Sequence, residues 1–326
     1  MVLKVNHLTV NFKVGGENLT AVNDVSFHIG EKESMGLVGE SGCGKSTVAF
    51  SLMRLLEKNG SVNGEVLINN SDIVSASYKE VRKIRWKDIS IVFQNAMSAL
   101  NPVQKIGDQI INALFQHEKI SKKEAIEKAE FLFEQIGLPA SRLMQYPHEF
   151  SGGMKQRAVI ALALICYPDI IVADEPTTAL DVVAQKQVIN LLIDLKETLN
   201  LSMLVISHDI SAVSEICEKT AVMYGGQIME MGETNDVFRR SNHPYTKALV
   251  DSFPSLHRSI DKLAQVPGTP PVLGNIPKGC PFAPRCKYAQ EICGSAPPPF
   301  RSVKNGKLVR CHFAEELDFN NKEVLS

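Results

Sequence analysis

Two stretches near the start of the chain alternate apolar and polar side chains. VLKVNHLTVNF (residues 2–12) and AVNDVSFHI (residues 21–29) place every second residue on one face, with turn-forming VGGEN between them. Residues 1 to about 35 are therefore predicted to be antiparallel strands. MGLVGESGCGKSTVAFSLMRLL (35–56) then reads as strand, glycine-rich loop and helix, and SVNGEVLINNSDI (61–73) as a further hairpin. From about residue 95 to 166 the period becomes helical. In SKKEAIEKAEFLFEQIG (121–137), Ala125, Ala129, Leu132, Phe133 and Ile136 form one stripe. Ser121 and Glu124 predict a capping box, and Gly137 a stop.

IIVA (170–173) and MLVIS (203–207) are apolar throughout, as parallel strands covered on both faces should be. TAVMYGGQIMEMG (220–232) predicts a hairpin turning at Gly225 and Gly226. Past about Asn242 the texture changes. VPGTPPVLGNIPKG (266–279) and SAPPPF (295–300) are rich in proline and glycine, which predicts an appendage with little core of its own that needs a staple. The division expected is 1–242 for the main domain, with a helical subdomain at about 95–165, and 243–326 for the extension.

The chain has 326 residues, 44% hydrophobic and 22% charged, and a formal net charge of −1. That is ordinary for a folded domain pair and gives no sign of affinity for nucleic acid. The longest apolar run, residues 158–166, is too short for a bilayer, which needs about 20 residues. A cytoplasmic location follows as an expectation, with any membrane contact made through a partner. Of the seven cysteines, Cys280, Cys286, Cys293 and Cys311 crowd the last fifty or so residues. In a reducing compartment that crowding suggests metal ligation more than disulfides.

The chemistry begins at Gly39, Glu40, Ser41, Gly42, Cys43, Gly44, Lys45, Ser46 and Thr47, which match a phosphate-binding loop placed between strand and helix. Glycines let backbone N–H groups turn in around phosphate oxygens, and the helix start adds its dipole. Lys45 is expected to bridge the β- and γ-phosphates of ATP, and Ser46 to ligate Mg²⁺. Asp174 and Glu175 end an apolar strand, where ligand crevices of such sheets open. Asp174 is expected on Mg²⁺ and Glu175 on the attacking water. His208 ends the next apolar strand and can hydrogen-bond a γ-phosphate. Gln94, after ISIVF, can reach metal or water through its amide. In FSGGMKQR (150–157), Ser151 can cap a helix whose first N–H groups Gly152 and Gly153 leave uncovered, a second anion site. Spacing alone does not choose between zinc and a [4Fe–4S] cluster at Cys280-x₅-Cys286-x₆-Cys293-x₁₇-Cys311.

These motifs together resemble the ATPase subunits of ABC transporters over residues 3 to about 250. Residues 39–47 resemble the Walker A loop, Gln94 the Q-loop, and Ser151, Gly152, Gly153 and Gln156 the signature motif. Asp174 and Glu175 resemble the Walker B end, Asp181 in PTTALD the D-loop, and His208 the switch histidine. Phe12 falls where the family stacks an aromatic on adenine. The implied fold is α/β, a P-loop NTPase with a RecA-like core, an antiparallel N-terminal sheet and a helical subdomain, plus a small metal-stapled C-terminal extension. QNAMSALNP (94–102), HPYTKAL (243–249) and VPGTPPVLGNIPKGCPFAPRC (266–286) resemble the oligopeptide and dipeptide importer group.

That resemblance implies ATP hydrolysis driving import of peptides, or alternatively of nickel, glutathione or another small solute. It implies a head-to-tail dimer with a second, distinct ATPase subunit, in which Ser151 of one chain serves the nucleotide of the other. Two membrane permeases and an external solute-binding protein complete the expected set, with the chain peripheral on the inner face of the membrane. Within the group a four-cysteine tail is associated with a [4Fe–4S] cluster, Zn²⁺ being the alternative. Soluble ABC machinery would carry a coiled-coil insertion or tandem cassettes, absent here. A regulatory module with vestigial nucleotide binding is opposed by the intact Asp174 and Glu175.

Overall fold

The computed structural model describes residues 1–94, 99–252, 266–272 and 274–320. The alternating N-terminal stretches are strands β1 (Leu3–Val14) and β2 (Glu17–Ile29). β3 (Ser34–Val38), buried along its whole length, leads into helix α1 (Lys45–Leu52). β4 (Gly60–Ile68) and β5 (Ser71–Asp72) form the expected hairpin, with Leu67 opposite Asp72. Its turn residues Asn69 and Asn70 take φ of 47° and 65°, a region asparagine tolerates better than most. Then come α2 (Tyr78–Ile84), β6 (Ile89–Val92), α3 (Ile106–His117), α4 (Lys122–Gln135) and α5 (Gly152–Leu164). The capping box of α4 is present. The Glu124 N–H donates to Ser121 Oγ at 3.3 Å, and the Ser121 N–H to the Glu124 carboxylate at 2.8 Å. Ala125, Ala129, Leu132 and Phe133 are its buried stripe.

The chain continues through β7 (Ile170–Asp174), α6 (Val182–Leu199), β8 (Ser202–Ser207) and α7 (Ile210–Ile216). β9 (Lys219–Tyr224) and β10 (Gln227–Glu233) make a hairpin turning at Gly225 and Gly226. Next are α8 (Thr234–Arg239), β11 (Arg240–Ser241) and α9 (Pro244–Asp251). The C-terminal segment adds α10 (Glu291–Ser295), β12 (Phe300–Ser302), β13 (Leu308–Arg310) and β14 (Phe319–Asn320). Among the described residues no helix is long and apolar enough to cross a membrane.

Two compact units divide the chain. The first comprises Met1–Lys4, His28–Glu33 and Val66–Ile206. In it β6, β7 and β8 run parallel, with Ile89 opposite Ile170 and Asp174 opposite Ile206. Every residue of β7 is buried, which explains why Ile170–Ala173 are apolar without a break before Asp174. Helices α3, α4 and α5 pack on one another, and α5 also against β6.

The second unit comprises Val5–Phe27, Ser34–Glu65 and Ser207–Ser326. Here β3 pairs parallel with β9, β9 antiparallel with β10, β10 with β13 and β13 with β12. The C-terminal segment thus extends a sheet instead of hanging from it. The expectation of little core past Asn242 is corrected: Tyr245 is fully buried, Phe282 is 2% exposed, and Val303, Val309, Cys311 and Ala314 form a cluster with Phe313 and Leu317 against it. These apolar residues are scattered between prolines and glycines. Only the register of β13 on β10 assembles them, so no periodicity announces them.

A buried ion pair fixes that register. Lys307 Nζ lies 2.8 Å from Glu230 Oε1, with side-chain exposures of 2% and 0%. Lys307 also donates to the carbonyls of Asp236 and Arg240. Glu230 accepts the N–H groups of Asn242 at 2.8 Å and His243 at 3.1 Å. Burial pushes the Glu230 carboxyl pKa up, against the pull of Lys307. Removing one partner leaves the other charge buried and alone, which costs about 3–5 kcal/mol. Lys307→Met should therefore lower stability by about that amount in urea unfolding, and Glu230→Gln added to it should return part of the loss.

Candidate functional site

The phosphate-loop residues stand in the second unit between β3 and α1. Gly39 takes φ 155°, and a Cβ there would meet the Met223 carbonyl oxygen at 2.2 Å. Gly44 caps α1 at φ 104°, where a Cβ would lie 2.7 Å from the Ala21 carbonyl oxygen. The loop can therefore fold against β2 and β9 only as glycine at these points. Lys45 is 6% exposed, and its ammonium donates to the carbonyls of Gly39 at 2.7 Å and Glu40 at 3.1 Å. Ser41 and Gly42 are exposed, whereas Ser46 and Thr47 are half-buried in the first turn of α1. Burial pushes the Cys43 thiol pKa up, with Lys45 pulling it back. Phe12, half-buried on β1, and exposed His208, directly after β8, belong to the same unit.

Two groups absent from the loop pattern hold Glu40. The Tyr245 hydroxyl accepts the Glu40 N–H at 2.9 Å. The Arg285 guanidinium grips the Glu40 carboxylate at 2.6 and 2.9 Å. Both come from stretches whose sequence signalled only a resemblance, HPYTKAL and CPFAPRC. A sequence separation of 245 residues hides the Arg285 pairing from any local pattern.

The first unit carries the carboxylates. Asp174 is 1% exposed at the end of β7. Glu175 takes φ 52°, in the left-handed region a non-glycine residue rarely enters. Its N–H donates to the Ile206 carbonyl at 2.8 Å, and its carboxylate accepts the Thr178 hydroxyl at 2.6 Å. Such strained positions cluster at functional sites. Gln94 is exposed just after β6. Ser151 caps α5 through its hydroxyl, which accepts the Met154 N–H at 3.4 Å. Ser151 and Gly152 are exposed, while Gln156, one and a half turns on, is 4% exposed and faces inward. Asp181 caps α6, accepting the Ala184 N–H at 2.9 Å. Residues Asn95, Ala96, Met97 and Ser98 of QNAMSALNP, and Leu273 of the proline-rich stretch, lie outside the described residues.

Cys280, Cys286, Cys293 and Cys311 are free thiols that line one cavity of ≈ 20 Å³ in the second unit, together with His243 and His312. Burial pushes the thiol pKa of Cys280 to about 11 and of Cys311 to about 12. His243, 1% exposed, accepts the Tyr245 N–H on Nδ1, and its Nε2 has no hydrogen-bond partner. Burial brings its pKa down to about 3 despite the Arg310 backbone nearby, so the imidazole is neutral. His312 Nε2 meets the Ala296 carbonyl at 3.0 Å. The expected metal-stapled extension finds no support in the arrangement as it stands. Among the described residues no group of three or more His, Cys, Asp or Glu is set to hold a metal ion.

Known proteins share both parts of the chain. A family model described as "ABC transporter" matches residues 22–178, and one described as "Oligopeptide/dipeptide transporter, C-terminal region" matches residues 229–293. The oligopeptide transport ATP-binding protein OppD of Salmonella typhimurium is 43% identical over 95% of this chain and 93% of its own length. The dipeptide transport ATP-binding protein DppD of Bacillus subtilis is 43% identical over 97% of this chain and 95% of its own. Among solved structures, the dimeric bacterial ABC transporter cassette MJ0796 superposes with a TM-score of 0.63 at 29% identity, covering 71% of this chain and 98% of that one. The same cassette has also been solved in a post-hydrolysis state bound to ADP and phosphate.

The loop geometry is directly testable. Gly44→Ala forces a Cβ onto the Ala21 carbonyl and a side chain into the left-handed region. It should weaken ATP binding at least about tenfold in equilibrium dialysis, with the helical circular dichroism retained.

Proposed function

The chain belongs to the ABC transporter ATP-binding subunits of the oligopeptide/dipeptide group, and from that membership we propose that it powers the import of peptides. It is an ATPase. The observation that carries the peptide reading is that 43% identity runs through 95% of the chain, across the cassette and the C-terminal region alike, in relatives named for oligopeptide and dipeptide transport.

The proposed roles follow from the motif to which each group belongs. Backbone N–H groups of residues 39–47 and the Lys45 ammonium receive the β- and γ-phosphates, and Phe12 stacks on the adenine. Ser46, Gln94 and Asp174 would hold Mg²⁺, which offsets charge on the phosphate oxygens. Glu175 orients and polarises the attacking water, and its restraint by Ile206 and Thr178 supports a fixed direction of approach. His208 steadies the γ-phosphate. The helix start at Ser151, Gly152 and Gly153 serves the nucleotide of a second, distinct ATPase subunit packed head to tail, with Asp181 at the seam. Exposed Ser151 and Gly152 support that role, whereas buried Gln156 supports the helix behind them. Two permeases hold the pair on the inner face of the membrane, and an external solute-binding protein delivers cargo.

At the cysteine cavity the residue types, though not their spacing as it stands, suit a soft metal centre. Four thiols and the His243 imidazole line one space. We assign Cys280, Cys286, Cys293 and Cys311 to a [4Fe–4S] cluster, with Zn²⁺ as the alternative. Its bonds would cross-link the proline-rich segment.

Reconstituted with its partner subunits in proteoliposomes, the transporter should take up a labelled oligopeptide only with ATP. Uptake of nickel or glutathione instead would reassign the cargo. In that preparation Glu175→Gln should still bind ATP but turn over about a hundredfold more slowly or worse. Anaerobically purified protein should carry about four irons and four sulfides per chain. Stoichiometric zinc in colourless protein would replace the cluster by a tetrahedral zinc site.

A further inference from the structure

The guanidinium of Arg285 has five N–H donors, and all five find acceptors. Nη1 donates to Glu40 Oε2 at 2.6 Å and to the Tyr224 hydroxyl at 3.1 Å. Nη2 donates to Glu40 Oε1 at 2.9 Å and to the Val266 carbonyl at 3.2 Å. Nε donates to the Pro267 carbonyl at 2.5 Å. The side chain is 5% exposed, and its central carbon lies 5.6 Å from the Tyr224 ring centre and 5.9 Å from that of Phe282. An exposed ion pair contributes little, but a two-pronged pair shielded from water is different in kind. A guanidinium stays charged throughout the physiological pH range.

What it grips matters more. Glu40 and Lys45 are the only charged residues from Gly39 to Thr47. The Glu40 carbonyl is one of the two that anchor the Lys45 ammonium. The Glu40 N–H is already committed to Tyr245. Tyr245, Tyr224 and Phe282 pack together, with ring centres 4.6 to 5.3 Å apart. The first turn of the phosphate loop is therefore held on three sides, twice by residues beyond position 242. Without Arg285, an unpaired carboxylate would stand on a loop that must receive a triphosphate.

We propose that Arg285 is a positioning residue for the nucleotide site, a cation from the cysteine-bearing tail that neutralises Glu40 and fixes the opening turn of the phosphate loop for ATP. The tail is then a working part of the ATPase and not only an addition to its sheet. Arg285 directly precedes Cys286 and ends the turn Ala283–Arg285, so the segment bearing the thiols also sets the reach of the guanidinium. Lysine cannot substitute, because an ammonium has three donors and no fork.

This inference rests on the reading that residues 39–47 bind ATP, and Lys45→Ala in the same series tests that reading separately. In the assembled transporter, Arg285→Gln should raise KM for ATP about tenfold and leave kcat within about twofold, because ground-state binding is what it removes. Arg285→Lys, which keeps the charge without the fork, should fall between. Adding Glu40→Gln to Arg285→Gln should bring KM back to within about threefold of the parent, because the repelling charge is gone. A role confined to stapling the tail would lower the melting temperature alone and show no such recovery. If Lys45→Ala abolishes ATP binding while KM is unmoved in both Arg285 variants, the proposal fails and the nucleotide site stands. A raised KM that Glu40→Gln does not lower would also overturn it. Unimpaired ATP binding by Lys45→Ala would instead sink the nucleotide assignment underneath.

Discussion

A loop that is to wrap an anion must turn its N–H groups inward without falling onto the strands beside it. Here that constraint falls on the turn between β3 and α1. The backbone at Gly39 and Gly44 comes so close to the Met223 and Ala21 carbonyls that a single methyl group would not fit. Lys45 is drawn back onto two carbonyls of the same turn, which fixes its charge against the loop. Cys43 completes the fit, its carbonyl accepting the Gly226 N–H at 3.0 Å from the β9–β10 turn. A loop fastened on this many sides is already organised, so a ligand bound there would spend little binding energy on ordering it.

The same unit shows how a tail poor in periodic pattern becomes part of a folded body. β13 joins the edge of β10, and the Glu230 and Lys307 charges, removed from water together, hold it there. Buried pairs of this kind add little net stability over an apolar alternative. Their effect lies in selectivity: a one-residue slip of β13 would turn Lys307 away and leave Glu230 unpaired. Asn242 makes the join tighter, its amide donating to the Ala314 and Leu317 carbonyls at 3.1 and 2.6 Å. A tail fixed so firmly can hold a side chain such as Arg285 in one place.

In the other unit a strand end does the organising. Asp174 closes β7 inside the core, and the next residue must leave the strand abruptly. Glu175 does so in the left-handed region, at a cost of about 1–3 kcal/mol, held by backbone hydrogen bonds to Ile206 and Thr178 and by the Thr178 hydroxyl on its carboxylate. A carboxylate with a fixed direction suits the water-orienting role proposed for it, whereas a flexible one would spend its time elsewhere.

The elements whose information is local could be read directly from the residues. The Ser121 and Glu124 capping box, the glycine pair turning β9 into β10, the unbroken apolar run of β7 and the loop from Gly39 to Thr47 each sit within one short window. Their physics acts over a few residues, so pattern alone finds them. Features controlled by long-range pairing became visible only in the folded chain. No local signal ties Arg285 to Glu40 or Lys307 to Glu230, because a charged residue in a proline-rich or polar stretch looks solvated until a partner from another segment takes it out of water. The core beneath the tail was hidden for the same reason: its apolar members come from separate short segments, and a strand register brings them together.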